Sequence, residues 1–415
     1  MQMHIIKKEN QKTTILTDHT LILNEIDRSI KLYKWDFILS SLPSGSFLVG
    51  GYIRDLILRR LNAKIDVDIV VPKNAIETGK KIADNFQGKF IILDVDREVV
   101  RIIFKHITID IATQISPSID SDLLSRDFSM NAIAFSFEKK ILIDPLNGIT
   151  DIQLSLLRTN SKQNLIDDPL RILRCFRFVS EFNFKIDEKL IDYIKKYRNK
   201  LLNVANERIN YEIQRIIRGK NASLSILLIN KFKIFEYIQS ERDLIFINLD
   251  KINFEKLNKV EQEKFLPLFF LFQILDEVSL KELKFSKSEI LNIKLLRKWK
   301  LLLDKKNLYE LNEKERFDLH KELETILPAF ILALPQTLHM DWITRWRDKD
   351  DKLFHPSNLI SGDDIKKYLQ IQDGPHLGKL ICYLSRELAF NRLKNFDEAI
   401  YKGKQWIKQN APKCD

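Results

Sequence analysis

Asp66 and Asp68, in Lys64-Ile-Asp-Val-Asp-Ile-Val-Val71, are the residues of this sequence best suited to do chemistry. A strand has a side-chain period of two, so both carboxylates project from one side of the sheet. Held that close they repel unless a cation lies between them. Hard oxygen ligands of this kind suit magnesium, which takes one or two protein carboxylates and fills its remaining positions with water and substrate phosphate. Just upstream, Phe47-Leu-Val-Gly-Gly-Tyr-Ile-Arg-Asp-Leu-Ile-Leu58 reads as strand, glycine turn and helix. Gly50 and Gly51 make the turn, and Arg54 falls in the first helical turn, where unsatisfied backbone N–H groups favour an anion. Gly-Gly alone is usually a plain turn, and Asp-x-Asp alone is often a solvated edge. Joined at this spacing they describe a site for a nucleoside triphosphate and its metals.

The elements that must position these groups follow from periodicity. One amphipathic helix is expected over Leu21 to Leu42, closed by Pro43 and Gly45, after a short irregular lead. Ala75 to Phe86 has helical spacing, while Lys89 to Leu93, Glu98 to Phe104 and Ile107 to Ala112 read as strands. The third of these carries Asp110, which by alternation is a candidate third carboxylate beside the pair, with a surface aspartate as the other reading. Strands vanish from the pattern near Ile152. Leu165-Ile-Asp-Asp-Pro-Leu-Arg-Ile-Leu-Arg-Cys-Phe-Arg-Phe-Val179 then reads as a helix with Pro169 in its first turn and Asp167 or Asp168 as cap. Arg171, Arg174 and Arg177 recur every third residue along one stripe, which is costly unless the arginines meet anions or an aspartate.

These segments together resemble the nucleotidyltransferases of the polymerase-beta type, and within them the bacterial tRNA nucleotidyltransferase and poly(A) polymerase family. The resemblance implies that the Gly50-Gly51 turn and Arg54 hold the triphosphate and that Asp66 and Asp68 carry the metals. Asp122-Leu-Leu-Ser-Arg-Asp-Phe-Ser-Met-Asn-Ala132 is similar to the family's Arg-Arg-Asp-Phe-Thr-Ile-Asn-Ala block, with Ser125 in place of the first arginine. It implies contacts of Arg126 and Asp127 with nucleotide phosphate or ribose, and leaves Asn131 to stabilise the turn. Ile143-Asp-Pro-Leu-Asn-Gly148 is another recurrent family segment. Leu165 to Arg174 resembles Glu-Asp-Pro-x-Arg-x-x-Arg, with Asp167 for the glutamate, and implies that Asp168 and Arg171 read the incoming base. An acceptor and a donor three positions apart at a helix start are neighbours able to match one pyrimidine edge and, slightly rotated, one purine edge. Glu207, Arg208 and Glu212 match a further family motif and read as structural.

The expected fold is α+β: a small mixed-sheet head over residues 1–155, then an elongated helical neck (156–240), body (241–345) and tail (346–415). Asn358-Leu-Ile-Ser-Gly-Asp-Asp-Ile-Lys366 and Gly374-Pro-His-Leu-Gly-Lys379 resemble the family's tail, each expected at a helix junction with glycine at the turn. The formal charge of +11 is uneven: residues 156–240 hold 17 basic against 9 acidic side chains, as a polyanionic substrate requires. Lys185 to Lys200 and Arg215 to Lys220 are candidates for RNA backbone contact. Cys175, Cys382 and Cys414 and the seven histidines are scattered, without metal or redox spacing. No run approaches a membrane span and no basic-then-apolar leader is present, so a cytoplasmic location is expected.

The function implied is untemplated, magnesium-dependent addition of CCA, or part of it, to tRNA 3′ ends from CTP and ATP. Only about a dozen residues, Gln114 to Ser125, occupy the place where full CCA-adding relatives carry a flexible loop with an Arg-x-Asp-Gly core, and loss of that loop goes with enzymes that add two cytidines and stop. Poly(A) polymerase, and a catalytically silent RNA-binding protein on the same scaffold, are the other readings.

Overall fold

The computed structural model of the chain describes residues 15–16, 18–61, 65–114, 116–238, 249 and 252–410. The irregular lead, the boundary expected at residue 240 and Cys414 lie outside the described residues. The chain divides into two compact units, Met1–Val204 and Ala205–Asp415.

Unit one is built on a mixed sheet. Its strands are β1 (Phe47–Val49), β2 (Ile65–Val71), β3 (Lys89–Asp94), β4 (Val99–Ile103), β5 (Ile107–Thr113), β6 (Ala134–Ser136) and β7 (Leu142–Ile143), in the spatial order β3-β4-β5-β2-β1-β6-β7. Only the β2–β5 pair is parallel. The crossover between them carries α3 (Ala75–Phe86) and the β3–β4 hairpin, and α3 packs on β3, β4 and β5. Isoleucine and valine dominate β2, β4 and β5, as half-buried pleated surfaces favour.

Before the sheet, α1 (His19–Leu32) is capped by Asp18, which accepts from Thr20 N at 2.6 Å, and buries Ile22, Ile26 and Ile30. It is shorter than the helix expected to run to Leu42. Lys34 adopts a left-handed conformation, φ 52°, and the chain resumes as a short 3-10 turn over Asp36–Ser41. The break swings Trp35 fully inside, edge-on to Tyr52 and Phe137, and that aromatic burial outweighs continuation of the helix.

The helix read from Leu165 to Val179 is two helices, α6 (Lys162–Asp167) and α7 (Arg171–Phe182), counted after α2 (Gly51–Ile57), α4 (Ile119–Leu124) and α5 (Gly148–Gln153). Asp168 is extended, φ −136° and ψ 92°, because the ring of the following Pro169 disfavours helical backbone there. Asn183 at φ 60° ends α7. Strands also reappear past residue 152: β8 (Leu156–Leu157) pairs in parallel with β9 (Lys185–Ile186), a ribbon too short to leave a pattern. α8 (Glu188–Tyr197) and a 3-10 helix over Arg198–Asn203 close this unit.

Unit two is helical throughout its described residues, from α9 (Asn206–Ile216) and α10 (Ala222–Lys231) through α11 (Lys259–Ile274), α12 (Glu277–Glu282), α13 (Lys287–Lys305), α14 (Glu313–Leu323), α15 (Leu327–Ile331) and α16 (Gln336–Arg347) to α17 (Gly362–Leu369), α18 (Pro375–Ala389) and α19 (Phe396–Asn410). α11 packs on α13 and α15, burying Phe265, Phe269 and Phe272. Ser361 and Asp364 form a reciprocal cap at the start of α17, so Gly362 lies inside that helix and the junction glycine is Gly374, before Pro375. Glu207 pairs with Lys284, and Gln214 donates to Glu289 at 2.7 Å, tying α9 to the α12–α13 segment. Among the described residues no helix is long and apolar enough to cross a membrane.

Candidate active site

Asp66 and Asp68 lie two apart on β2, whose other residues, Ile65, Val67, Ile69, Val70 and Val71, are buried. The two carboxylates therefore share one side of the sheet, Asp66 exposed and Asp68 partly buried. Parallel pairing sets Asp68 beside Asp110 on β5. Burial, and then the neighbouring Asp110, push the Asp68 carboxyl up to about 6, against the opposing pull of Arg126; Asp66 adds to the rise. Three carboxylates so grouped are short of positive charge on the exposed side.

Asp110 is already matched. Arg101, opposite it in the β4–β5 register, donates from Nε to Oδ1 and from Nη2 to Oδ2, both at 2.8 Å. Its two oxygens are held by a guanidinium, which argues for a positioning role over a place in the metal site. Among the described residues no group of three or more His, Cys, Asp and Glu side chains is set to hold an ion. Asp66 and Asp68 are a hard, under-compensated oxygen pair, and that donor set fits a divalent cation completed by water and phosphate.

The glycine turn stands against this pair. Gly50 has φ 76° and donates its N–H to Ile133 O at 3.1 Å. A Cβ there would come within 3.0 Å of Arg126 Nη1 and 3.4 Å of Asp68 Oδ2. Glycine is thus required both by the backbone and by the close approach of the two side chains. Gly51 opens α2.

Arg54 reaches the turn from the protein interior and not from solvent: a Cβ on Gly51 would lie 3.3 Å from its Nη2. The residue is 9% exposed; its guanidinium donates to both oxygens of Asp55 at 2.9 Å and to Asn131 Oδ1 at 2.6 Å, and lies over the rings of Phe178 and Phe182 on α7 at 5.3 and 4.9 Å. Arg126, tethered to Asp122 Oδ2 at 3.2 Å and only partly buried, is the guanidinium nearest Gly50 and Asp68.

Asp127 is likewise turned inward. Its Oδ1 accepts from Phe128 N at 2.8 Å and Asn131 Nδ2 at 2.9 Å, and its Oδ2 accepts from Arg174 Nε at 2.7 Å. Burial alone would raise its pKa, but Arg174 and these donors hold it below the usual carboxylate range. The expected aspartate partner of the arginine stripe is therefore realised at Arg174. Arg171 reaches the Asn164 carbonyl at 3.1 Å, and Asp168 Oδ1 accepts from Leu170 N at 3.3 Å, so both sit at the α6–α7 bend. Arg177 is buried, its guanidinium 4.3 Å from the Phe178 ring centroid, and belongs to the packing of α7.

Two further segments brace the site in ways that their sequence does not show. The Ile143–Gly148 segment closes under the 3-10 turn Ser129–Asn131: Asp144 accepts from Gly148 N at 2.7 Å and Ile149 N at 2.9 Å, and a Cβ on Gly148 would fall 2.1 Å from Ser129 O. Ser129 in turn donates to the buried Asp151 at 2.5 Å. The Gln114–Ser125 stretch holds α4, with Ile119 and Leu123 packed among Val49, Val70, Ala132 and Ala134.

Residues 46–158 match the model of the poly A polymerase head domain, and residues 183–244 match that of a probable RNA and SrmB-binding site of polymerase A. A CC-adding tRNA nucleotidyltransferase of Synechocystis sp. is 30% identical over 393 residues, covering 88% of this chain and 94% of that protein. A CCA-adding enzyme of Lactococcus lactis subsp. cremoris is 28% identical over 67% of this chain and 69% of that protein. The solved Thermotoga maritima CCA-adding enzyme complexed with tRNA shares the fold, with a TM-score of 0.73 at 21% identity, covering 95% of this chain and all of that one.

Proposed function

The chain belongs to the bacterial tRNA nucleotidyltransferase family, and from that premise we propose that it transfers CMP units from CTP to tRNA 3′ ends, building the two cytidines of the CCA terminus without a nucleic-acid template. The carrying observation is α4. Where full CCA-adding members have a flexible loop, this chain has a short helix anchored in the core by Ile119 and Leu123, and the full-length relative at 30% identity is a CC-adding enzyme. A second reading, complete CCA addition using ATP as well, is favoured by the likeness to the CCA-adding enzyme of L. lactis.

Nucleotidyl transfer needs the RNA 3′-hydroxyl brought in line with the α-phosphate and the departing pyrophosphate stabilised. Enzymes of this family use a divalent metal; we assign Mg2+, which Asp66 and Asp68 would hold and which would acidify the hydroxyl and neutralise phosphate charge. The chain supplies the rest. The backbone N–H of Gly51 and the Arg126 guanidinium cradle the triphosphate, while Gly50, whose N–H is taken by Ile133 O, shapes the turn. Arg101 holds Asp110 as its partner, so that the charge deficit is concentrated at Asp66 and Asp68. Asp168 and Arg171 read the base edge, cytosine offering an amino donor to the carboxylate and acceptors to the guanidinium. Arg54 and Asp127 hold α2 and α7 in place. Residues 1–155 serve as catalytic head, 156–240 as the basic neck, 241–345 as body and 346–415 as the tail meeting tRNA, in the cytoplasm.

Three tRNA transcripts, lacking CCA, CA or A, incubated with Mg2+ and CTP, ATP or both, test this reading. The first two are expected to be extended with CTP to end in CC, and the third is expected to stay unextended with ATP. Completion to CCA would establish the second reading, long adenosine tails would indicate a poly(A) polymerase, and no extension would refute transfer altogether.

A further inference from the structure

Four side chains form one continuous path through unit one. Arg54 Nη1 donates to Asn131 Oδ1 at 2.6 Å, Asn131 Nδ2 donates to Asp127 Oδ1 at 2.9 Å, and Asp127 Oδ2 accepts from Arg174 Nε at 2.7 Å. Arg54, Asn131 and Asp127 are each less than a tenth exposed. One end lies on α2, directly after the glycine turn and beside Asp68; the other lies on α7, three residues past Arg171 and six past Asp168. We propose that Asn131 is a positioning residue for base selection: its amide locks the base-reading end of α7 against the glycine turn. The proposal rests on the functional reading given above.

The chemistry of the link requires an amide. One neighbour is a guanidinium, which only donates, and the other is a carboxylate, which only accepts. A side chain between them must offer an oxygen to the first and an N–H to the second. Asn does both without adding charge. Direct pairing of Arg54 with Asp127 would draw the carboxylate away from Arg174 and release α7. Asn131 is itself fixed from beneath, since its 3-10 turn is seated on the Gly148 backbone and anchored by the Ser129–Asp151 hydrogen bond. It therefore transmits position instead of absorbing it. Low dielectric strengthens each bond in such a chain and makes an unpaired member costly.

The path predicts a failure of selection. Without Asn131, Arg54 keeps Asp55 and its ring contacts, and Arg174 keeps Asp127, so both helices persist. What is lost is the directional hydrogen-bonded link between them, since ring contacts hold α2 to α7 without fixing their register, and with it the matching of base edge to phosphate. The test compares wild type with Asn131→Leu, similar in volume and without hydrogen bonds, in single-nucleotide addition of CTP and of UTP to a tRNA lacking CCA, with melting temperature recorded alongside. A fall of about ten- to a hundredfold in kcat/KM for CTP is expected, with the preference for CTP over UTP reduced at least about tenfold. A variant that melts earlier yet keeps the wild-type preference would overturn the assignment, since a merely structural residue does not move that ratio. If Asn131→Leu fails to fold, Asn131→Asp is read in its place: it keeps the oxygen toward Arg54, sets an oxygen against Asp127, and is expected to lose the preference likewise. A wild-type protein that lengthens no tRNA would instead overturn the functional reading.

Discussion

Gly50 occupies a position that no other residue fills without strain. Its φ of 76° lies in the left-handed region, and a methyl group would press on Arg126 at 3.0 Å and Asp68 at 3.4 Å. Gly50→Ala is therefore expected to cost about 1–2 kcal/mol of stability from backbone strain alone. The functional effect adds to this: displacing Arg126 by a few tenths of an ångström is expected to lower kcat/KM for CTP by about tenfold. Steady-state kinetics on folded protein check this, and undiminished activity would mean that the turn does not set the geometry of Asp68 and Arg126. The inward turn of Arg54 and Asp127 belongs to the same scale. Both occur in motifs whose spacing points to phosphate. Spacing does not register that Arg174, 47 positions along the chain, will claim Asp127, or that Phe178 and Phe182, farther off still, will cover Arg54.

Among the elements, the strand, turn, helix and strand around Asp66 were legible because every signal is local: a glycine pair, a period of two and a period near four. The bend between α6 and α7 was legible in principle at Asp168-Pro169, yet the arginine spacing suggested one continuous helix. The break after α1 was not, since the driving force is burial of Trp35 by residues elsewhere in the sheet unit. Unit two offered little beyond apolar periodicity, the Glu207–Glu212 segment and the two tail segments, and its most informative contact has no motif. His320 on α14 is packed between Trp342 on α16 and Phe354, with ring centroids 5.0 and 4.1 Å away, and its Nδ1 has no hydrogen-bond partner among the described residues. Burial, and then the charge of Arg345, lower its pKa to about 3, with Asp351 opposing and Arg316 and His355 reinforcing. Below an unfolded-state pKa near 6.5 the unfolded chain binds a proton that the folded chain refuses until about pH 3, so stability declines as pH falls through that window. His339, also depressed by burial, acts in the same direction. Urea unfolding between pH 7 and 5 should show this loss, with His320→Phe reducing the slope by up to about 1.4 kcal/mol per pH unit. An unchanged slope in the variant would place the titration elsewhere.

For the molecule as a whole, a mixed sheet that presents two carboxylates is joined in one chain to a helical remainder, and the excess of positive charge lies between residues 156 and 240. The proposed division of labour, chemistry on the sheet and polyanion affinity on the helices, predicts that the two can be separated by mutation. The α+β architecture and the strand that carries Asp66 and Asp68 could be read from the sequence, whereas the network joining α2 to α7 depends on side chains that only the folded sheet brings together. The most direct test of the account compares wild type with Asp66→Asn and Asp68→Asn in addition of CMP to a tRNA lacking CCA, with tRNA affinity measured on the same preparations. Both variants are expected to bind tRNA as the wild type does while transfer falls by at least about a thousandfold. Transfer at the wild-type rate by either variant would contradict the account.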